Sequence, residues 1–467
     1  MKNANHGDAI ITRKNRDKMI NERVVAEQIL QKHVLIFYRG NFFRYVPEAK
    51  IYNNESDNSL RILIGDEVPK ICEEESSEDI SSLLTQNVIN GIKNWLCSLA
   101  EDDVAFAEKK FIYHCRNGVL CYENERIILK EHSPDFRSLW RSDIVYDPKA
   151  VPERFIAELL TPALSQDQIE ILQMYMGQCL FVQNTSQTFL LLTGTAGAGK
   201  STLASLIEKL IGRPNYGTIR LGHTNGRFEL SRLIGRSLLT AKDVPPNFLS
   251  QSGGANLKAL TGDDFMEVEF KNSNAINEIR GSFNVIITSN SILRLNIASD
   301  IDAWRRRILW LDYRNAPVKE KIANFADTLF QKEGSGILNW ALEGLMKLSK
   351  NGWLIPKSKE QMRQVNFLLK SSDPVRTFVR NFICTSAVDR LPTDELVKAY
   401  GFISEHYRWD SIPRRKLELQ LKTLIPEIYN AYPSNTIIRR GKRCRGYLGI
   451  QLKLSADIIE KMNANTK

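Results

Sequence analysis

Residues Thr188–Gly212 read TFLLLTGTAGAGKSTLASLIEKLIG, and this stretch leaves fewer folds open to the chain than any other. It begins with an apolar run, Phe189–Leu192, of the kind that fills a buried strand. It continues as Gly194-Thr195-Ala196-Gly197-Ala198-Gly199-Lys200-Ser201, a complete G-x-x-x-x-G-K-[ST] pattern followed by Thr202. Leu203, Ile207, Leu210 and Ile211 then recur at helical spacing, and Gly212 offers a helix stop. Strand, glycine loop and helix in that order are the context of a phosphate-binding site. The glycines let main-chain N–H groups close round a phosphate chain, and the helix N-terminus adds partial positive charge. Lys200 is placed to reach the β- and γ-phosphates and the Ser201 hydroxyl to ligate Mg²⁺. ATP and Mg²⁺ are therefore the expected cofactors. The alternative is a glycine turn before an ordinary helix, and the completeness of the pattern argues against it.

A loop of this kind needs a carboxylate at a second strand end, to hold Mg²⁺ or to orient the attacking water. Downstream of Lys200, Arg236–Asp243 reads RSLLTAKD: an apolar strand, Leu238–Ala241, soon followed by Asp243. Phe283–Asn290, FNVIITSN, is another buried-strand run, and it ends in an amide. Asn290 is a candidate to position the hydrolytic water or sense the γ-phosphate; the competing role for a lone Asn is to cap the turn or helix that follows. Asp300–Tyr313, DIDAWRRRILWLDY, puts Arg305, Arg306 and Arg307 before an apolar strand. Such an arginine can serve a neighbouring subunit's γ-phosphate in trans, or its charge can simply complement a helix C-terminus.

Charge points to the partner. The formal net charge is +10, and from Asp373 to the end there are 17 Lys/Arg against 10 Asp/Glu. Between Pro433 and Leu454 there is no acidic residue. Asp373–Phe382, Thr393–Tyr407 and Arg414–Tyr429 read as helices and Thr436–Leu454 as a β-hairpin. Three helices and a basic hairpin describe a winged helix. Arg414, Arg415 and the wing residues Arg439, Arg440, Lys442, Arg443 and Arg445 would straddle duplex phosphates.

The ordered set GTAGAGKST (Gly194–Thr202), Arg236–Asp243, LKALTGDD (Leu257–Asp264), IITSN (Ile286–Asn290) and AWRRRI (Ala303–Ile308) resembles the superfamily 3 helicases. Within them it is most similar to the phage/plasmid primase–helicase family, with its poxvirus-type and satellite-phage-type replication proteins. The likeness extends upstream over His114–Pro152, similar to a short collar, and downstream to Gly446–Ile450 in the tail. It implies an α/β fold: an AAA+-like ATPase core, an N-terminal α+β collar region and a C-terminal winged helix. It implies a six-membered ring that hydrolyses ATP between subunits while DNA, single- or double-stranded, passes through the pore. Lys200 and Ser201 would then hold nucleotide and Mg²⁺, Asp243 would complete the metal site and Asn290 would sense the γ-phosphate. Arg306 or Arg307, with Arg307 preferred for its place directly before Ile308, would come from the next subunit. Phe265–Asn274 would be the pore hairpin, with Phe270 stacking on or wedging bases and Lys271 gripping phosphate. A separate primase or polymerase is a further partner the resemblance allows. Two departures stand out. The family more often has Glu at the Asp243 position, with Lys242 an unusual neighbour, and Glu267 and Glu269 would repel a phosphate backbone.

Five segments follow: an α+β accessory domain (1–105), a collar (106–155), the ATPase (156–350), a linker helix (351–372) and the winged helix (373–467). Val24–Val34 has helical periodicity, and Phe37–Tyr52 is β-like around Arg39-Gly40-Asn41. The acidic run Glu73–Asp79 is expected to open a helix over Ile80–Leu99. Phe111–Lys130 reads as strands turning at Asn117-Gly118 and Asn124-Glu125, and Glu153–Leu160 and Gln166–Leu180 as helices. Glu101-Asp102-Asp103 reads as a solvated turn, so no primase centre is expected. The seven cysteines contain no C-x-x-C pair; His114-Cys115 with Cys121 is the nearest approach to a metal cluster, and core strand residues are the preferred reading. No apolar run is long enough to cross a bilayer and the N-terminus has no signal-peptide core, so no membrane partner and a cytoplasmic location are expected. Two other classes share the glycine loop: an origin-binding protein that uses ATP for assembly with little unwinding, and a small-molecule phosphotransferase.

Overall fold

Apolar runs such as Phe189–Leu192 and Val285–Ile287 have no polar face, so their strands must be covered on both sides. A computed structural model of the protein provides that cover; it describes residues 8–12, 18–75, 82–106, 111–180, 183–219, 229–249, 252–269, 277–295, 301–313, 322–407, 409, 411–439 and 441–453.

The N-terminal segment opens with an antiparallel pair, β1 (Ile10–Thr12) and β2 (Lys18–Ile20). Helix α1 (Glu22–Lys32) follows, its first turn capped by the Asn21 side chain accepting from the Val24 N–H. Strands β3 (Leu35–Tyr38), β4 (Asn41–Val46) and β5 (Ile51–Glu55) form an antiparallel meander. Its first turn falls at Arg39-Gly40, both at positive φ (48° and 78°), as a two-residue hairpin turn requires. Helices α2 (Asp57–Glu75) and α3 (Gln86–Leu99) close this unit over Ile29, Leu60, Ile64, Ile71, Ile92 and Leu96. The expected single helix over Ile80–Leu99 is corrected. Glu73–Glu75 close α2 instead of opening a helix, and α3 begins only after Thr85, whose hydroxyl accepts from the Val88 N–H (3.4 Å). Asp102 sits in a turn, paired with Arg137 at 2.7 Å.

Strands β6 (Ile112–Cys115), β7 (Gly118–Glu123) and β8 (Arg126–Lys130) form a second meander, its second turn at Asn124-Glu125 with φ of 48° and 59°. The Tyr113 hydroxyl donates to the Leu210 carbonyl at 2.8 Å, which ties this meander to the segment that follows the glycine loop. Cys115 and Cys121 are buried in it, and burial pushes the Cys115 thiol up to about 12.

After a π-helical turn at Phe155–Leu160 come α4 (Gln166–Leu180), β9 (Phe189–Gly194), α5 (Lys200–Ile211), β10 (Tyr216–Thr218) and β11 (Leu238–Ala241). Helix α6 (Ser252–Thr261), the antiparallel pair β12 (Phe265–Val268) and β13 (Asn277–Arg280), and β14 (Asn284–Ser289) follow. Then come α7 (Ile301–Arg307), β15 (Ile308–Tyr313), α8 (Phe325–Lys350) and α9 (Lys359–Ser372). Strands β10, β11, β14, β9 and β15 lie side by side in that order, all parallel. The chain is thus mixed α/β, built on a parallel five-stranded sheet. Alternation along each strand divides the sheet between two cores. Leu190, Leu192, Ile286 and Leu309 meet α4, α5 and α8, whereas Phe189, Leu191, Val285 and Trp310 meet Leu257, Trp304 and Leu368 from α6, α7 and α9.

Helices α4 and α8 touch backbone to backbone. A Cβ on Gly344 would lie 1.9 Å from the Gln173 carbonyl oxygen, and one on Gly177 would lie 2.2 Å from the Leu345 nitrogen. Gly344→Val is therefore expected to force the helices apart and cost about 1–3 kcal/mol or more, read as a lowered midpoint of chemical denaturation. An unchanged midpoint would contradict this packing.

The last segment contains α10 (Pro374–Phe382), β16 (Ile383–Pro392), α11 (Thr393–His406), α12 (Arg414–Tyr429), β17 (Pro433–Arg439) and β18 (Lys442–Leu452). Its antiparallel sheet has the order β16-β18-β17, packed on Phe378, Leu396, Tyr400, Leu421 and Ile425. The helices fall where their periodicity placed them. The bulged strand β16 is an addition, completing a third partner for the expected hairpin. Among the described residues, no helix is long and apolar enough to cross a membrane.

Candidate functional site

The glycine-rich loop owes its shape to three positive-φ glycines, Gly194 (136°), Gly197 (80°) and Gly199 (102°). Gly194 is doubly constrained, since a Cβ there would lie 2.1 Å from the Tyr313 carbonyl oxygen on neighbouring β15. Gly199 occupies the cap of α5, so the N–H groups of the helix's first turn face the loop. Thr195, Ala196 and Gly197 are exposed at its rim, Ala198 is buried, and Ser201 and Thr202 are half-buried on the first turn.

Lys200 is 3% exposed, and its ammonium group donates to three acceptors: the carbonyls of Gly194 (2.9 Å) and Thr195 (2.8 Å) and the Asn290 Oδ1 (2.9 Å). Burial holds its pKa below the ordinary lysine value, opposed by the charge of Asp243. Lys200, Asn290 and Asp243 thus form one electrostatic unit. Sheet order explains why. Strand β14 is inserted between β9 and β11, so Asn290 follows the strand beside the loop and Asp243 follows the next one. Two interstrand spacings leave roughly 10 Å between the loop strand and the acidic one, room for a polyanion and its cation.

Asp243 is exposed and in left-handed backbone (φ 52°). Its N–H donates to the Thr288 Oγ1 (2.9 Å), and the Val244 N–H to the Thr288 carbonyl (2.9 Å). Lys242 turns the other way, donating to Glu208 Oε2 (2.6 Å) and Ser205 Oγ (2.9 Å) on α5. The unusual lysine beside Asp243 therefore has a partner that linear reading missed, 34 residues upstream on another element. Ser201 and Asp243 offer oxygen donors of the type Mg²⁺ takes, with phosphates and water to fill its octahedron. Among the described residues, no group of three or more His, Cys, Asp or Glu is placed to hold a metal by itself.

The arginines do not join this cluster. Strand β15 runs parallel to β9 with Ile308 opposite Phe189 and Tyr313 opposite Gly194, so α7 ends at the far edge of the sheet. Arg306 and Arg307 stand about 20 Å from their own loop. Arg306 and Arg307 differ in their exposure. Arg307 is 6% exposed, donates from Nη1 to the Ala303 carbonyl (3.4 Å), and packs against Gly262. It lies three residues after the buried Trp304 and shares its inward face. Arg305 is engaged by Asn366 (3.0 Å) and Asp302. Arg306 is exposed, and Lys357 caps the helix end beneath it by donating to the carbonyls of Arg305 (2.5 Å) and Arg306 (2.8 Å).

Of the remaining candidates, Phe270, Lys271 and Arg440 lie outside the described residues. The antiparallel pair that would carry Phe270 and Lys271 is present as β12 and β13, with Glu267 exposed and opposite Glu278, and Glu269 exposed beyond β12. Arg439 and Lys442 fall in β17 and β18. Arg415, Arg443 and Arg445 are exposed. Arg414 is exposed as well but already pairs with Glu418 (2.7 Å) and Asp394. Such solvent-facing pairs are weak, so a phosphate can displace them.

A family of unknown function, DUF5906, matches residues 192–307, from the end of β9 to the end of α7. No curated protein matches the chain. Among solved structures, the A form apo structure of the NrS-1 C terminal region is 13% identical with a TM-score of 0.48, covering 91% of this chain and 98% of that one. A second A form structure, of the NrS-1 C terminal region 305–718, gives 12% identity and a TM-score of 0.45 over 92% and 100% of the two chains. A further apo structure of that region gives 10%, 0.47, 92% and 99%.

Proposed function

We propose that the chain is an ATP-dependent DNA helicase of a phage, plasmid or other mobile element, acting as a hexameric ring with ATP sites between subunits. One observation carries this reading. Lys200, Asn290 and Asp243 converge at one end of the parallel sheet, while Arg306 stands exposed at the other end. The first group suits a nucleoside triphosphate, and the second stands too far from its own loop to act on that nucleotide. The inserted strand β14 and the glycine loop support an AAA+-like core of superfamily 3 type. Helices α10, α11 and α12 with sheet β16-β18-β17 support a winged helix whose Arg415, Arg443 and Arg445 meet DNA phosphates.

In this reading the loop N–H groups and Lys200 bind the β- and γ-phosphates, and the ammonium exchanges loop carbonyls for phosphate oxygens. Ser201 and Asp243 would hold Mg²⁺, which would neutralise charge on the phosphate oxygens. Asp243 orients the attacking water, and Asn290, already hydrogen-bonded to Lys200, registers whether the γ-phosphate is present. Arg306 of the next subunit stabilises charge that develops in the transition state.

The test is ATP turnover by the full chain, with and without forked DNA, over a range of protein concentrations, together with strand displacement. DNA-stimulated turnover that rises cooperatively with concentration and displaces a strand supports the proposal. ATP-dependent rings with negligible turnover would favour an assembly protein, and concentration-independent turnover indifferent to DNA would favour a phosphotransferase.

A further inference from the structure

We propose that Lys242 is a positioning residue that sets the distance between Ser201 and Asp243 by latching α5 to the strand that leads to Asp243. The inference rests on the ATPase reading above. Ser201, Ser205 and Glu208 lie at i, i+4 and i+7 and so form one stripe of α5. Lys242 holds that stripe at two points, Ser205 Oγ (2.9 Å) and Glu208 Oε2 (2.6 Å). Thr240, two residues earlier and on the same side of the chain, holds the other Glu208 oxygen (Oε1, 2.6 Å). Glu208 is 8% exposed, so this is a desolvated, fully engaged carboxylate, whose bonds are stronger than those of a surface pair.

The opposite side is fixed too. Thr288 engages the Asp243 N–H and the Val244 N–H, and the Ser289 hydroxyl donates to the Val244 carbonyl (2.9 Å). Left-handed backbone at a non-glycine residue persists where its surroundings over-determine it, and Asp243 is held on both flanks. The stripe that begins with Ser201 is therefore tied by three hydrogen bonds to the strand that leads to Asp243. An aspartate has a single methylene between backbone and carboxylate. Its reach depends on how closely helix and strand are drawn together, which is what Lys242 controls.

The alternative is an ion pair that stabilises the fold and nothing else. Two variants separate them: Lys242→Arg, and the double variant Lys242→Met/Glu208→Gln, which avoids leaving a buried charge unpaired. The readouts are affinity for a fluorescent ATP analogue without divalent cation, and Mn²⁺ affinity of the nucleotide complex by electron paramagnetic resonance. We expect metal-free nucleotide affinity within about twofold of wild type and Mn²⁺ affinity lowered about tenfold or more in the double variant, the size typical of lost support around metal ligands. Lys242→Arg should fall between. Unchanged Mn²⁺ affinity with a lowered melting temperature would overturn the inference, as would an equal loss of metal-free nucleotide binding. Wild-type protein that binds no nucleotide would instead remove the ATPase reading itself.

Discussion

Lys200→Ala is expected to lower ATP turnover about a thousandfold or more, comparable to or beyond the loss of one preorganised charge-stabilising donor in a desolvated site. The argument begins with burial. A lysine that is 3% exposed gives up much of its hydration, and it keeps its place because three oxygens face its ammonium group. Those oxygens are two loop carbonyls and the Asn290 amide, all at the mouth of the loop. A group so placed has little reorganising left to do when a triphosphate arrives, and the substitution removes that preorganised charge. It also removes a staple between β9 and β14. A staple alone predicts a lower melting temperature with nucleotide affinity retained. The binding role predicts weaker affinity for ATP than for adenosine-like ligands lacking phosphates, relative to wild type. Titration of Lys200→Ala with ATP and adenosine, beside its thermal melt, tells the two apart; a lowered melt with both affinities retained would point to the staple.

The loop was readable in the sequence because everything it needs is contiguous. Three glycines, a lysine and a hydroxyl within eight residues specify backbone geometry and charge with no knowledge of the rest of the chain. Asp243 and Asn290 were readable for a related reason, since a polar residue just after a buried strand must emerge where that strand ends. What they meet there depends on strand order, which no local pattern carries. Glu208 shows the limit: in sequence it is one of several polar residues on an amphipathic helix, and only the fold brings Lys242 to it. Helix α2 escaped because Pro69 interrupts a run whose apolar periodicity is weak, and its acidic end resembled a helix start. Strand β16 escaped because a bulge between Thr385 and Arg390 breaks its alternation.

Arg306→Ala is expected to lower turnover by about a thousandfold or more when subunits are assembled, as loss of an arginine finger does. Arg307 was the more attractive candidate in sequence, since it directly precedes the strand. Helical phase favours Arg306 instead: α7 is seven residues long, and the side that buries Trp304 also buries Arg307. Arg306 is left on the outer side, with Lys357 fixing the carbonyls below it and Arg305 tied down beside it. A guanidinium roughly 20 Å from its own loop does not contribute in cis. The decisive measurement is mixing. Lys200→Ala and Arg306→Ala proteins should each be inactive alone. Combined in equal amounts, about one interface in four pairs an intact loop with an intact arginine, as a head-to-tail ring requires. Turnover should therefore recover toward that fraction of wild type, or less if neighbouring sites fire in concert. No recovery on mixing, in variants that still assemble together, would show that Arg306 does not act across the subunit interface. A single-subunit enzyme would predict the same silence, and sedimentation of the mixture distinguishes them. Retained turnover by Arg306→Ala alone would remove the shared-site reading whichever assembly is found.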